Sequence, residues 1–209
     1  MQKWTIRLLL ISISFFLFSC KTYQVSGEKL EISNSKVILN PYFSNENLDY
    51  VYKTHIEVYG NDLSGIFVTK KINDSIHRVV FTTDFGNKLL DFEISNNSFK
   101  VNYVVEDLDR KLILNTLEKD FKLLLKQSFV VDEMFENEEY YIYKSNAGKR
   151  FNYIYQSKTD DQFIKIIQTS KRKEKLRLNF DSKEGKIAEN ILILHQNIKL
   201  TISLNKFEN

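Results

Sequence analysis

The chain of 209 residues has very little cysteine, proline and glycine: one Cys (Cys20), one Pro (Pro41) and six Gly. A single cysteine excludes an internal disulfide bond, so the stability of the folded protein must come from packing. Proline cannot donate to a sheet ladder and glycine weakens a strand, so their scarcity permits long strands.

Sequence patterns that would indicate an enzyme or a metal site are also missing. The chain has no His-Glu-x-x-His, no Gly-x-Ser-x-Gly and no glycine-rich phosphate loop, and its three histidines are far apart. Basic and acidic residues are nearly balanced, at 30 and 27, and the tyrosines alternate with aliphatic residues as in a sheet. We therefore predict a non-enzymatic protein with no metal, no cofactor and no nucleic-acid partner.

The first twenty residues carry the most specific signal in the chain. Lys3 and Arg7 precede an apolar stretch, residues 8–18, which is about half the roughly 20 residues that a membrane-spanning helix needs. The sequence Leu-Phe-Ser-Cys at 17–20 follows, and it resembles the lipobox of bacterial lipoproteins. This resemblance implies a signal peptide over 1–19, a covalent lipid on Cys20 and a tether within 20–40.

The residue after the cysteine bears on location. By resemblance to Gram-negative lipoproteins, a residue other than Asp at this position, here Lys21, implies transfer to the outer membrane. No acidic cluster follows Cys20, which favours the periplasmic face over the cell surface. The expected location is therefore the outer membrane, facing the periplasm.

The rest of the chain shows the period-2 alternation of β-strands, separated by turn signals about every 8 to 12 residues. The alternating segments lie at 50–58, 66–69, 77–83, 90–94, 99–105, 141–143, 151–155, 163–167, 176–180, 191–194 and 198–204. Residues 107–127 instead repeat leucine and phenylalanine every three or four positions, which predicts an amphipathic helix with Asp107 or Asp109 as N-cap.

These patterns predict a mainly β domain with one long helix, of the α+β class, over 41–209. An antiparallel sheet of about ten to eleven strands should curl into an open half-barrel, because long sheets tend to curl. The helix must bury its apolar stripe, and the sheet is the only large apolar surface available to cover.

The stretch from Ile76 to Ile94, which ends in Phe-Gly-Asn-Lys-Leu-Leu-Asp-Phe-Glu-Ile at 85–94, resembles the lipoprotein-localisation receptors (LolB-like proteins), as do the following helix and the two strands that end the chain. The resemblance covers roughly residues 48 to 205. The family's segment with Pro and Trp after the helix has no counterpart, because Trp4 is the only tryptophan. The resemblance implies an open barrel that holds the acyl chains of lipoproteins, with lipoprotein cargo, a periplasmic carrier protein and outer-membrane lipid as partners.

The resemblance also implies two sets of site residues. Phe85 and Gly86 match the loop that presents an apolar side chain to the membrane; the alternative is a Phe85 that folds back over the sheet edge. A second set would line the acyl-binding cavity or, alternatively, fill a solid core. This set consists of Leu90, Phe92, Val101, Tyr103, Leu112, Leu117 and Phe121.

Two functions remain open at this point. The first is a module that binds lipid or the acyl chains of lipoproteins, which requires an apolar hollow under the helix. The second is an envelope scaffold or accessory subunit without a ligand, which predicts a filled interior and an exposed apolar patch.

Overall fold

The computed structural model of the protein describes residues 22–32, 36–183 and 186–207. The predicted signal peptide and Cys20 lie outside the described residues. Within the described part, fifteen strands and one α-helix follow one another along the chain. In chain order they are β1 (Glu28–Leu30), β2 (Lys36–Leu39), β3 (Asp49–Val58), β4 (Asn61–Lys71), β5 (His77–Thr82), β6 (Lys88–Ile94), β7 (Phe99–Val104), α1 (Lys111–Leu124), β8 (Ser128–Val131), β9 (Glu133–Glu136), β10 (Tyr140–Ala147), β11 (Arg150–Ser157), β12 (Phe163–Thr169), β13 (Glu174–Asp181), β14 (Asn190–His195) and β15 (Leu200–Lys206).

Thirteen of the described strands form a single antiparallel sheet in the order β1-β9-β10-β11-β12-β13-β14-β15-β3-β4-β5-β6-β7. Strands β1 and β7 are its two edges, so the sheet curls without closing. Strands β2 and β8 pair separately. The fold is thus the mainly β, curled and open sheet that the sequence predicts, with one helix.

The predicted number of ten to eleven strands is wrong. The eleven alternating segments correspond to β3–β7 and β10–β15, and the four strands that were not predicted, β1, β2, β8 and β9, have only three or four residues each. Alternation over so few residues gives almost no periodic signal.

Two short strands, β1 and β2, lie within the range 20–40, for which the sequence predicts the lipidated cysteine and a tether. Strand β1 pairs with β9, and β2 pairs with β8. The ring of Tyr23 packs on Tyr153 with centroids 5.1 Å apart, and its backbone N–H donates to Lys171 O. Tyr23 and Val25 therefore pack on the outer face of the sheet, and the chain then continues into the edge strand β1.

Helix α1 is shorter than the predicted 107–127. A 3-10 turn, Glu106–Leu108, takes up the first residues of that range, and the N-cap is Arg110, without a side-chain capping bond. The prediction of Asp107 or Asp109 as N-cap is therefore wrong. At the other end the Asn40 side chain donates to Lys126 O at 3.0 Å and to Leu124 O at 3.4 Å, which satisfies carbonyl groups left free at the helix terminus.

The inner face of the curled sheet and the facing side of α1 form the main core. The outer face of β5–β7 carries a buried carboxylate, Asp91, which is 1% exposed. Arg78 binds both of its oxygens, at 3.0 and 2.8 Å, and Lys88 and Asn102 add contacts at 2.9 and 3.3 Å. These bonds lower the pKa of Asp91, the bond from Arg78 being the largest cause.

Asp91→Asn should destabilise the protein by about 2 kcal/mol, because it removes charge-assisted hydrogen bonds to a buried carboxylate. The pKa of Asp91 is lower in the folded protein than in the unfolded chain. Its stabilisation is therefore complete above about pH 4 and is lost as the pH falls. Urea unfolding between pH 3 and 7 should show a smaller loss of stability at low pH in the variant than in the wild type. The exposed Asp74 provides the control, and Asp74→Asn should change stability by less than about 0.5 kcal/mol.

Candidate functional site

The inner face under α1 brings together four of the seven residues predicted to line a cavity. Leu90 and Phe92 point inward from β6, and Leu117 and Phe121 lie on the facing side of α1; each is at most 2% exposed. The rings of Phe121 and Phe67 lie 5.4 Å apart, centroid to centroid. The helix is therefore in direct side-chain contact with the sheet.

A β-bulge separates the next two residues of that set. Val101 pairs with Phe92, whereas Tyr103 pairs with Asp91, so the register shifts by one residue between them. Residues directly opposite each other lie on the same face, so Val101 is on the inner face and Tyr103 on the outer face. Both are exposed, at 40% and 45%, because β7 is an edge strand.

Leu112, the last of the seven, does not face the interior. It lies nine residues before Phe121, which is two and a half turns of helix, and so on the opposite side of α1. Its side chain is 59% exposed. The structure therefore places four predicted cavity residues in the interior and the other three, Val101, Tyr103 and Leu112, at partly exposed positions.

The four interior residues are packed against their neighbours rather than around an open hollow. Leu90 and Phe92 are fully buried, and Phe92 contacts the ring of Phe99 at 4.8 Å between centroids. A ligand on this face would have to replace contacts that α1 now makes.

A buried polar pair joins α1 to the sheet. Asp120 Oδ2 and His195 Nε2 are 2.8 Å apart, with side chains 1% and 7% exposed. Burial raises the pKa of Asp120, and its Oδ1 has no hydrogen-bond partner among the described residues. The pair attaches α1 to β14. The buried Asp120 Oδ1, without a hydrogen bond in the described part of the chain, lowers the net stabilisation that the pair gives to the folded protein.

This pair was not predicted from the sequence. A signal for half of it is present, because Asp120 stands in the apolar stripe of the helix between Leu117 and Phe121, where an acidic residue is unexpected. The partner His195 is 75 residues away in the chain and has no such signal.

The hairpin between β5 and β6 places Phe85 in solvent, with 94% of its surface exposed. Gly86 N donates to Thr83 O at 2.9 Å, and Thr83 N donates to Asn87 O at 2.8 Å, which closes the turn. Gly86 has φ 83°, the left-handed conformation that a glycine adopts without strain after a tight turn. Phe85 therefore projects from the tip and does not fold back over the sheet edge.

Two further observations concern ligands and membranes. Among residues 22–32, 36–183 and 186–207, no three His, Cys, Asp or Glu side chains are grouped so that they could hold a metal ion. In the same part of the chain, no helix is both long and apolar enough to cross a membrane.

The fold is similar to that of solved structures, although sequence comparison finds nothing. No protein-family model matches the chain, and no curated protein matches it. A LolA superfamily protein, NE2245 from Nitrosomonas europaea, superposes with a TM-score of 0.51 at 8% identity, over 79% of this chain and 87% of that chain. The chain therefore has a LolA-like fold.

Two other solved structures superpose less well. A lipoprotein-sorting protein domain of the outer membrane from Vibrio parahaemolyticus has a TM-score of 0.45 at 8% identity, over 77% of this chain and 83% of that one. A DUF1329 family protein from Desulfovibrio piger has a TM-score of 0.43 at 7% identity, over 77% of this chain and 84% of that one.

Proposed function

We propose that this protein is a lipoprotein of the outer membrane, anchored through Cys20 and facing the periplasm, that binds lipid or the acyl chains of lipoproteins. The ligand would occupy the inner face of the half-barrel. The protein would act as a carrier or acceptor and not as an enzyme. The LolA-like fold supports this proposal, and so does the resemblance of residues 85–94 to the lipoprotein-localisation receptors.

One observation carries the proposal: a large apolar inner face is covered by a single helix of 14 residues. The helix contributes Leu117, Phe121, Leu123 and Leu124 to the main core, which stabilises the closed state, in which α1 covers the inner face, by roughly 6 to 12 kcal/mol at 1.5 to 3 kcal/mol per buried side chain. A dozen buried methylenes of an acyl chain would contribute roughly 10 kcal/mol. The free energy of the helix contact and that of burying an acyl chain are similar, so we infer that an acyl chain can replace the helix on this face.

The direct test is purification of a Cys20→Ala form from cells, followed by mass spectrometry of co-purified lipid. The proposal predicts recovered acyl species and binding of monooleoylglycerol, an uncharged acyl ligand. Recovery of no lipid, together with no binding of monooleoylglycerol, would contradict it.

Phe85→Glu should abolish the insertion of bound cargo into membranes while leaving cargo binding within about twofold of the wild type, because a charged tip is excluded from the bilayer interior. The measurement is transfer of a fluorescent acylated peptide from the protein to liposomes. Asp84→Asn, next to it in the same turn, is the control and should transfer normally. Unchanged transfer by Phe85→Glu would remove this residue from the mechanism.

A specific pair of observations favours a second function, an accessory subunit without a ligand. The interior is filled, and the paired strands β2 and β8 expose three apolar side chains, Val37, Leu39 and Val130, at 55%, 71% and 56%. An exposed apolar patch is typical of a protein-binding surface. Mass spectrometry of the lipid that co-purifies with the Cys20→Ala form separates the two functions, because only the first predicts bound lipid.

A further inference from the structure

A cleft of about 750 Å³ lies beside the C-terminal half of α1, between the helix, β8 and the β10–β11 hairpin. Its sheet side is a polar part of the inner face, because Ser145, Asn152 and Gln168 share that face with the core residues Tyr143, Ile154 and Ile166. Its fifteen lining residues include five cationic side chains and no carboxylate. The cationic residues are Lys119, Lys122, Lys126, Lys149 and Arg150.

Only one of the five cationic side chains forms a salt bridge among the described residues, although the buried Asp120 lies near enough to Arg150 and Lys119 to interact with their charges. Lys122 pairs with Glu118 at 2.8 Å, but in the described part of the chain the other four form no salt bridge with a carboxylate. Lys126 is partly buried, and burial lowers its pKa. Since the chain as a whole is nearly neutral, a cleft of one sign concentrates positive potential locally.

The helix dipole does not explain the cluster. Cations near a helix C-terminus are favourable, which accounts for Lys122 and Lys126. Lys149 and Arg150 come from the β10–β11 hairpin and therefore need another reason.

The sheet side of the cleft carries an ordered row of polar side chains. Ser145, Asn152 and Gln168 are opposite one another on β10, β11 and β12, and Ser145 and Asn152 are at most 2% exposed. Gln168 Nε2 donates to Asn152 Oδ1 at 3.0 Å, and Arg150 donates to Gln168 Oε1. These bonds hold the Arg150 guanidinium in place beside the cleft.

We propose that this cleft binds the phosphate ester group of an anionic ligand. Lysine ammonium groups and a fixed guanidinium are the groups with which proteins bind phosphate, and buried amides add directional donors. The volume is in the range of sites for organic ligands and exceeds the need of a free phosphate ion.

An apolar surface at the edge of the cleft, which we call the apolar rim, indicates that the phosphate ester belongs to a lipid. Val130 lines the cleft, and its cross-strand partner Val37 continues the exposed apolar surface to Leu39. A phospholipid would place its headgroup among the lysines and the start of its chains on this rim. The phosphate site does not require an acyl chain under α1, whereas its assignment to a lipid rests on the proposed function.

The test uses the Cys20→Ala protein with a charge-reversed cleft, Lys119→Glu/Lys149→Glu, and a matched control, Lys53→Glu/Lys199→Glu. All four lysines are exposed, and the two double variants have the same net charge. Binding is measured by calorimetry for monomeric dihexanoyl phosphatidic acid, uncharged dihexanoylglycerol, glycerol 3-phosphate and a polyglutamate peptide. Thermal unfolding confirms that each variant is folded.

The proposal predicts that the cleft variant binds dihexanoyl phosphatidic acid at least about tenfold more weakly than the wild type, with the control within about twofold. Binding of dihexanoylglycerol should be unaffected by either variant and reports on the proposed function alone. Glycerol 3-phosphate bound as tightly as the lipid, with the same loss, would support the phosphate site and overturn the lipid assignment. Equal effects of the two variants, or tighter binding of polyglutamate than of either phosphate ester, would overturn the proposal.

Discussion

A Cys20→Ala variant, exported with a signal peptide whose cleavage does not need the cysteine, should move from the membrane fraction to the soluble fraction of cells. One acyl chain holds a protein on a membrane only marginally, whereas several chains hold it stably, so loss of the lipidated residue should release nearly all of the protein. Cell fractionation measures this release, and metabolic labelling with a palmitate analogue measures the loss of the lipid itself.

The matched control for this variant is Ser19→Ala, which keeps a small residue directly before the cysteine. It should remain labelled and bound to the membrane. A Cys20→Ala protein that stays in the membrane pellet after a high-salt wash would contradict lipid anchoring through this residue.

Leu117→Ala should lower the free energy of unfolding by about 2 to 5 kcal/mol, because it leaves a cavity between α1 and the sheet. Leu112→Ala makes the same chemical change on the exposed side of the same helix, and we expect an effect below about 0.5 kcal/mol. Chemical unfolding followed by circular dichroism gives both values. Equal destabilisation by the two substitutions would contradict the packing of α1 on the inner face.

The same two variants test whether α1 is a displaceable cover of the inner face or a permanent part of the core. If the closed state competes with the ligand, weakening the helix contact by Leu117→Ala should raise the apparent affinity for monooleoylglycerol, since more of the protein is then open. Leu112→Ala should leave that affinity unchanged. An affinity that falls in Leu117→Ala would indicate that Leu117 contacts the ligand instead of excluding it.

The long strands were predictable from the sequence, because each alternates over enough residues to show a period of two. In β3, for example, Tyr50, Tyr52, Ile56 and Val58 are buried and Lys53 and Glu57 are exposed, as the alternation predicts. The curled, open form of the sheet followed from strand number and from the need of the helix for an apolar partner. The short strands were not predictable, because three or four residues show too little alternation and because β1 and β2 pair with β9 and β8, about a hundred residues later.

Local irregularities explain most of the remaining differences. The alternation of β7 assigns Val101 and Tyr103 to one face, but the bulge opposite Asp91 moves Tyr103 to the other. A bulge leaves no periodic signal of its own. Gly65 in β4 marks a different irregularity, a close approach of two backbones, because a Cβ atom there would overlap the backbone carbonyl of Thr82.

The candidate sites differ in how far the sequence predicts them. Phe85 belongs to a local turn, so its position at an exposed tip could be predicted from Asp84 and Gly86. The Asp120–His195 pair and the basic cleft depend on contacts between distant segments. The cleft combines the helix lysines with Lys149 and Arg150 of a hairpin, and only the fold brings these together.

The central claim is that an acyl chain replaces α1 on the inner face of the half-barrel. Because Cys20 is the only cysteine, a Cys20→Ala background allows spin labels at Asn115→Cys on α1 and Lys53→Cys on β3, whose distance can be measured by pulsed electron paramagnetic resonance. The account predicts that saturating monooleoylglycerol shifts the distance distribution to a new, longer component. An unchanged distribution at saturation, with binding shown in the same sample, would contradict it.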